Sequence, residues 1–156
     1  MKLLFVCLGN ICRSPAAEEI MRRTVDEAGL SERIEVDSAG TYGGHRGELP
    51  DHRMRFAASK RGYNLTHRSR QVREADFEEF DLIVCMDDMN YESLHRLAPS
   101  REAAGRITRM RNWLSPELFP DRTYIPDPYY EGAEGFELVL DMLENACANL
   151  LRELYS

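Results

Sequence analysis

The chain opens on a continuous apolar run, residues 3–7, flanked by Lys2 and a glycine-containing loop. Runs of this kind fit a strand buried on both faces of a parallel sheet. The hydrophobic period then changes at once. Ala17, Ile20, Met21, Val25 and Ala28 recur at helical spacing, behind Ser14 as a candidate N-cap and Pro15 in the first turn, with Gly29 as a stop. A strand, a tight loop and a helix thus follow one another directly.

The pattern predicts a second strand over residues 34–37, then a flexible loop carrying Gly40, Gly43, Gly44 and Gly47. A helix is expected over about residues 51–61, ended by Gly62. Residues 81–86 read as a third buried strand, residues 90–98 as a helix before Pro99, and residues 107–110 as a weaker fourth strand. Pro116, Pro120, Pro126 and Pro128 make residues 115–132 mostly irregular. The last helix carries the clearest stripe: Phe136, Val139, Leu140, Leu143, Cys147, Leu150, Leu151 and Leu154. Cys147 and Met142 are expected to be core.

Strands alternating with helices imply an α/β fold. The expectation is a single domain over residues 1–156, with a four-stranded parallel sheet, helices on both faces and a phosphate-binding loop after the first strand. That length is enough to bury a core without disulfides or a structural metal. No apolar stretch approaches the roughly 20 residues of a membrane helix, and residues 3–7 are too short for a signal-peptide core, so a cytoplasmic address is expected. Cys7, Cys12, Cys85 and Cys147 show no zinc-finger spacing, and disulfide frameworks belong to short secreted chains. Reduced thiols are therefore expected.

A net charge of -7 argues against general nucleic-acid binding. The sign is uneven, however. Arg46, Arg53, Arg55, Lys60, Arg61, Arg68, Arg70 and Arg73 stand against only Glu48 and Asp51 in their stretch. This is either an ordinary solvated face or a positive rim that steers an anionic substrate.

Cys7 ends the first strand, and ligands of such sheets bind at the carboxyl ends of the strands. An ordinary thiol is mostly protonated at neutral pH, so a nucleophilic Cys7 needs its thiolate stabilised. A helix N-terminus, equivalent to about half a positive charge, and Arg13 can both do so. The backbone of Leu8, Gly9, Asn10, Ile11, Cys12, Arg13 and Ser14 can curl around an anion, with Gly9 permitting close approach and Asn10 tolerating left-handed geometry. The planar fork of Arg13 fits two phosphate oxygens. Alone, Cys7 could equally be a small buried residue at a strand end; the surrounding loop favours the nucleophile. A phosphatase also needs a proton donor for the departing oxygen. Asp127, in Pro126-Asp127-Pro128-Tyr129-Tyr130, is the candidate, with a plain turn aspartate as the alternative.

Val6-Cys7-Leu8-Gly9-Asn10-Ile11-Cys12-Arg13-Ser14-Pro15, Asp37-Ser38-Ala39-Gly40-Thr41, the stretch from Phe80-Asp81 to Cys85-Met86-Asp87 and Asp127-Pro128-Tyr129-Tyr130 together resemble the low-molecular-weight protein tyrosine phosphatases. The likeness runs in order over nearly the whole chain. It implies a phosphocysteine intermediate on Cys7, phosphate binding by Arg13 and the loop amides, and Asp127 as general acid and then base, without metal or cofactor. It implies a hydrogen-bond network of Asn10, Ser14, Ser38 and His67 behind the loop. Tyr129 and Tyr130 would form one wall of the substrate cleft, and Cys12 a reversible disulfide partner for Cys7. The implied substrates are phosphotyrosine-containing proteins, a tyrosine kinase among them, and no interface suggests anything but a monomer. One position departs: where the family usually carries Trp or Tyr on the facing wall, this chain has Gly44, with Tyr42 and His45 nearby, which predicts a more open cleft.

Two other classes compete. Arsenate reductases similar in loop and fold relay electrons through three cysteines, and Cys85 sits where a second is expected. The segment that follows, Met86-Asp87-Asp88-Met89-Asn90-Tyr91-Glu92, holds no third. A phosphotyrosine-binding module without turnover would need the loop but not Asp127.

Overall fold

The structure is a computed structural model and describes residues 1–155. Four parallel strands form one sheet: β1 (Lys2–Cys7), β2 (Glu35–Gly40), β3 (Leu82–Cys85) and β4 (Ile107–Arg109), in the order β2-β1-β3-β4. Six helices accompany them: α1 (Arg13–Glu27), α2 (His52–Ser59), α3 (Asp76–Glu79), α4 (Asp88–Leu97), α5 (Arg101–Ala104) and α6 (Ala133–Leu154). The α/β class, the four parallel strands and the loop after β1 agree with the expectation.

Successive side chains of a strand point to opposite faces, and β1 divides accordingly. Leu3, Phe5 and Cys7 join the larger core with α1 and α6, whereas Leu4 and Val6 join a second core with Phe77, Phe80, Ile83, Cys85, Leu94 and Ile107. A strand covered on both sides has no polar face, which is why its sequence is an unbroken apolar run. The α6 stripe from Phe136 to Leu150 is buried against α1, Cys147 and Met142 included. Full burial of each large apolar side chain contributes about 1.5–3 kcal/mol. Among the described residues no helix is long and apolar enough to cross a membrane.

Four local features differ from the sequence reading. The N-cap of α1 is Cys12, not Ser14, because the Ser14 hydroxyl is engaged elsewhere and no side chain caps the helix. Strand β2 continues to Gly40, bridged there to Gln71. A Cβ on Gly40 would meet the Leu8 carbonyl oxygen at 2.7 Å, so the close approach of β2 to the first loop requires glycine. Helix α2 stops at Ser59, and Gly62 turns the chain with φ +86°. Helices α3 and α5 were not expected, since four residues are too few to display a helical period.

The sheet order places β1 and β3 side by side, with β2 outside β1 and β4 outside β3. Chain connections diverge at this point, opening a crevice at the carboxyl ends. Cys7 ends one of these strands, and Met86-Asp87 follows the other.

Candidate active site

Residues 8–12 turn from β1 into α1 in a single loop. Asn10 is the only non-glycine residue with positive φ (57°) among the described residues, and it is fully buried. Its side chain makes the turn possible and fixes it. Nδ2 donates to Ser14 Oγ at 2.8 Å and Ser38 Oγ at 3.0 Å, while Oδ1 accepts the Arg70 amide at 3.0 Å and faces His67 Nε2 at 2.9 Å. Ser14 Oγ in turn lies 3.0 Å from Cys7 Sγ. All four residues expected behind the loop therefore meet there.

The network ends on a residue that the sequence reading missed. Ser38 donates to Glu18 Oε1 at 2.7 Å, His67 Nδ1 faces the same oxygen at 3.1 Å, and Arg22 pairs with the other. Glu18 is buried, and burial raises its carboxyl above the usual range against the opposing pull of His67, Ser38 and Arg22. Glu18, Asp37 and His67 bring ligand-type atoms within 4.8 Å of one another. The Glu18 oxygens already have protein partners, so this set closes as a hydrogen-bond network.

Arg13 is buried to 2 % exposure and is held by Asp87, whose Oδ2 accepts from Nη1 at 2.7 Å, and by the Ile125 carbonyl at 3.0 Å. Its Nη2 lies 3.5 Å from Asp127 Oδ2. Burial opposes the Arg13 charge, but Cys7, Asp87 and Asp127 outweigh it and hold the guanidinium above its usual range. Asp87 also caps α4, accepting the Asn90 amide at 2.9 Å in a reciprocal capping box. Asp127 remains 41 % exposed and accepts the Tyr129 amide, so the neighbouring rings do not bury it.

A cleft of about 200 Å³ is lined by Cys7, Leu8, Gly9, Ile11, Cys12, Arg13, Tyr42, His45, Asp127, Tyr129 and Tyr130. Every predicted site residue either borders this cleft or belongs to the network behind it. Arg53 supports one wall: it is forked onto Asp51 at 3.1 and 2.9 Å, and its guanidinium lies 5.2 Å from the Tyr129 ring centroid and 5.0 Å from that of Phe136. That fork draws the Asp51 carboxyl below its usual range. Burial pushes the Cys12 thiol up, with Asp51 and Cys7 adding to it. A larger concavity of about 790 Å³ lies along Glu19, Arg22 and Asp37, and neither a cysteine nor a histidine lines it.

Cys85 pairs with Val6 in the sheet register and belongs to the core on the opposite face from Cys7. Burial pushes its thiol up to about 12. An electron relay from Cys7 to Cys85 would have to cross the sheet.

Fold and site together define an α/β protein with a loop carrying Cys7 and Arg13 at the switch point of its sheet and the Asp127 carboxylate on the same cleft. Residues 2–156 match the family described as low molecular weight phosphotyrosine protein phosphatase, and the chain belongs to that family. A Synechocystis relative described as a low molecular weight protein-tyrosine-phosphatase is 51 % identical over 154 residues, covering 99 % of this chain and 96 % of the relative. The crystal structure of a protein tyrosine phosphatase from Entamoeba histolytica, with Hepes in the active site, superposes with a TM-score of 0.93 at 45 % identity, covering 99 % of this chain and 96 % of that one. A Drosophila arginine phosphatase superposes with a TM-score of 0.91 at 30 % identity, covering 100 % and 99 %.

Proposed function

We propose that this chain hydrolyses phosphotyrosine and small aryl phosphates through a phosphocysteine on Cys7. The observation that carries the proposal is the convergence of Cys7, Arg13 and Asp127 on one cleft, with Cys7 Sγ 3.0 Å from the Ser14 hydroxyl. The Cys7 thiolate attacks phosphorus in line, the bond to the tyrosyl oxygen breaks, and Asp127 supplies that oxygen with a proton. Arg13 and the loop amides carry the charge on the phosphoryl oxygens. Asp127, now a carboxylate, takes a proton from water; the water oxygen attacks phosphorus, the S–P bond breaks, and inorganic phosphate leaves. The Ser14 hydroxyl donates to the departing thiolate.

The sheet between Cys7 and Cys85 favours hydrolysis over a reductase relay. Aromatic rings on both sides of the cleft favour a tyrosyl leaving group over a phosphorylated guanidinium. Phosphotyrosine-containing proteins, a tyrosine kinase among the candidates, are the substrates proposed. Every group in the mechanism comes from one chain, so a monomer suffices, and a reduced Cys7 suits the cytoplasm. The test is hydrolysis of p-nitrophenyl phosphate, a phosphotyrosyl peptide and a phosphoarginyl peptide by wild type and Cys7→Ser. Wild-type turnover of the first two, abolished in the variant, is expected; turnover by Cys7→Ser would refute the mechanism, and preference for phosphoarginine would refute the substrate.

A further inference from the structure

Asp127, the proposed general acid, stands on a thinly held segment. The Ile125 amide donates to the Met86 carbonyl at 2.8 Å, but among the described residues no backbone hydrogen bond joins residues 126–131 to another part of the chain. The Asp127 carboxylate accepts the Tyr129 amide at 3.0 Å and lies 3.5 Å from Arg13 Nη2. Buried Pro128 separates Asp127 from Tyr129 in a single short turn, so the seat of the Tyr129 ring decides where the carboxylate stands. That ring has a support outside the segment. The Arg53 guanidinium lies 5.2 Å from its centroid and 5.0 Å from that of Phe136, a buried residue of α6. Arg53 is itself anchored. The nearly buried Asp51 carboxylate accepts its Nε at 3.1 Å, its Nη2 at 2.9 Å and its amide at 2.8 Å. The Asp51 amide in turn donates to the Ile11 carbonyl at 2.7 Å. A continuous path thus runs from the anion loop through Asp51, Arg53 and Tyr129 to Asp127.

We propose that Arg53 is a positioning residue for proton donation: it holds the Tyr129 turn and so fixes Asp127 relative to the loop that carries Cys7. A cation within about 6 Å of a ring centroid is attracted by the ring's quadrupole. The fork onto one carboxylate gives the guanidinium a set orientation, which a point charge on a flexible stem would lack. Proton transfer is sensitive to such placement, because the donor must come within hydrogen-bond reach of the departing oxygen. A misplacement of about 1 Å can cost about 100-fold. Arg53 is not among the residues that line the cleft. Its loss should therefore weaken the proton step and leave phosphate binding to Arg13 and the loop. This assignment rests on the hydrolase reading above.

The test compares kcat/KM for phenyl phosphate with that for p-nitrophenyl phosphate, which has the same ring but a leaving group that needs a proton less. Arg53→Gln should lower the ratio roughly 3- to 10-fold, the range expected of one cation–π contact. In an Asp127→Ala background the same change should have no further effect on either substrate, since no proton donor remains to be misplaced. A merely structural role would lower activity in both backgrounds. Asp51→Asn keeps the cap of α2 but loosens the fork, and should lower the ratio in the same direction; it carries the test if Arg53→Gln does not fold. Equal losses on the two substrates, or an undiminished loss in the Asp127→Ala background, would overturn the proposal. A wild type inactive on both substrates, or an active Cys7→Ser, would instead overturn the hydrolase reading beneath it.

Discussion

Replacing Asp87 by Asn separates two roles that one side chain performs. Asparagine is as good an N-cap as aspartate, so α4 keeps its start and Asn90 keeps its reciprocal bond. What disappears is the negative charge 2.7 Å from Arg13 Nη1. Arg13 is then a buried cation whose remaining partners are the Ile125 carbonyl and the more distant Asp127. Removing one partner of a fully buried ion pair costs about 3–5 kcal/mol. Asp87 is 22 % exposed, so water recovers part of this, and we expect about 2 kcal/mol. At about 2–4 °C per kcal/mol for a chain of this size, the melting temperature should fall about 4–8 °C. A guanidinium free to leave its productive orientation should also lower kcat for p-nitrophenyl phosphate about 10- to 100-fold, or 1.4–2.7 kcal/mol of barrier. Thermal unfolding and steady-state kinetics with inhibition by inorganic phosphate measure the two effects. Tighter phosphate binding with undiminished kcat would refute the reasoning: Asp87 would then be a competitor for Arg13 rather than its anchor.

Three further outcomes are expected. Asp127→Ala should lose more activity on alkyl phosphates than on p-nitrophenyl phosphate, because a poor leaving group needs the proton more; equal losses on a leaving-group series would count against proton donation. Peroxide should oxidise Cys7 to the sulfenic acid, which the neighbouring Cys12 thiol then attacks with loss of water to form a disulfide; mass spectrometry that finds over-oxidised Cys7 beside free Cys12 would exclude this. Asp76 is fully buried, and although burial opposes its charge, Arg70 and the Arg73 amide hold its carboxyl below the usual range. Its stabilisation is therefore present above pH 3.8 and lost as pH falls through the lower folded value. Asp76→Asn should lower stability by about 3 kcal/mol at pH 7 in urea titrations, with the gap to wild type closing below pH 3.8; a gap that widened in acid would reverse the sign and the explanation.

What was legible in the sequence is what local chemistry decides. The residues 3–7 run, the loop with Gly9 and Asn10, and the α6 stripe each carry their signal within a few positions. The ring that borders the cleft beside position 44 is that of Tyr42, two residues earlier, a placement that spacing along the chain does not show. The anchors lay further off. Asp87 meets Arg13 across 74 residues and Arg70 meets Asn10 across 60, and no periodicity encodes such pairs. Glu18 had a signal that went unused: it stands four residues after Ser14 and four before Arg22, on the buried side of α1. A carboxylate there is costly unless it has partners.

The buried acid carries the last step of the synthesis. The loop presents Asn10 in a conformation that asparagine tolerates but does not prefer, linked through Ser14 to Cys7. Backbone strain of that kind persists only where surrounding bonds fix it. Here the bonds run from Asn10 through Ser38 and His67 and converge on one oxygen of Glu18. The other Glu18 oxygen is held by Arg22 one turn further along the same helix. The helix whose first turn sets Ser14 against Cys7 therefore also supplies the acid that fixes the loop. A displacement of α1 would disturb the Ser14–Cys7 contact and the loop conformation together, because one element serves both.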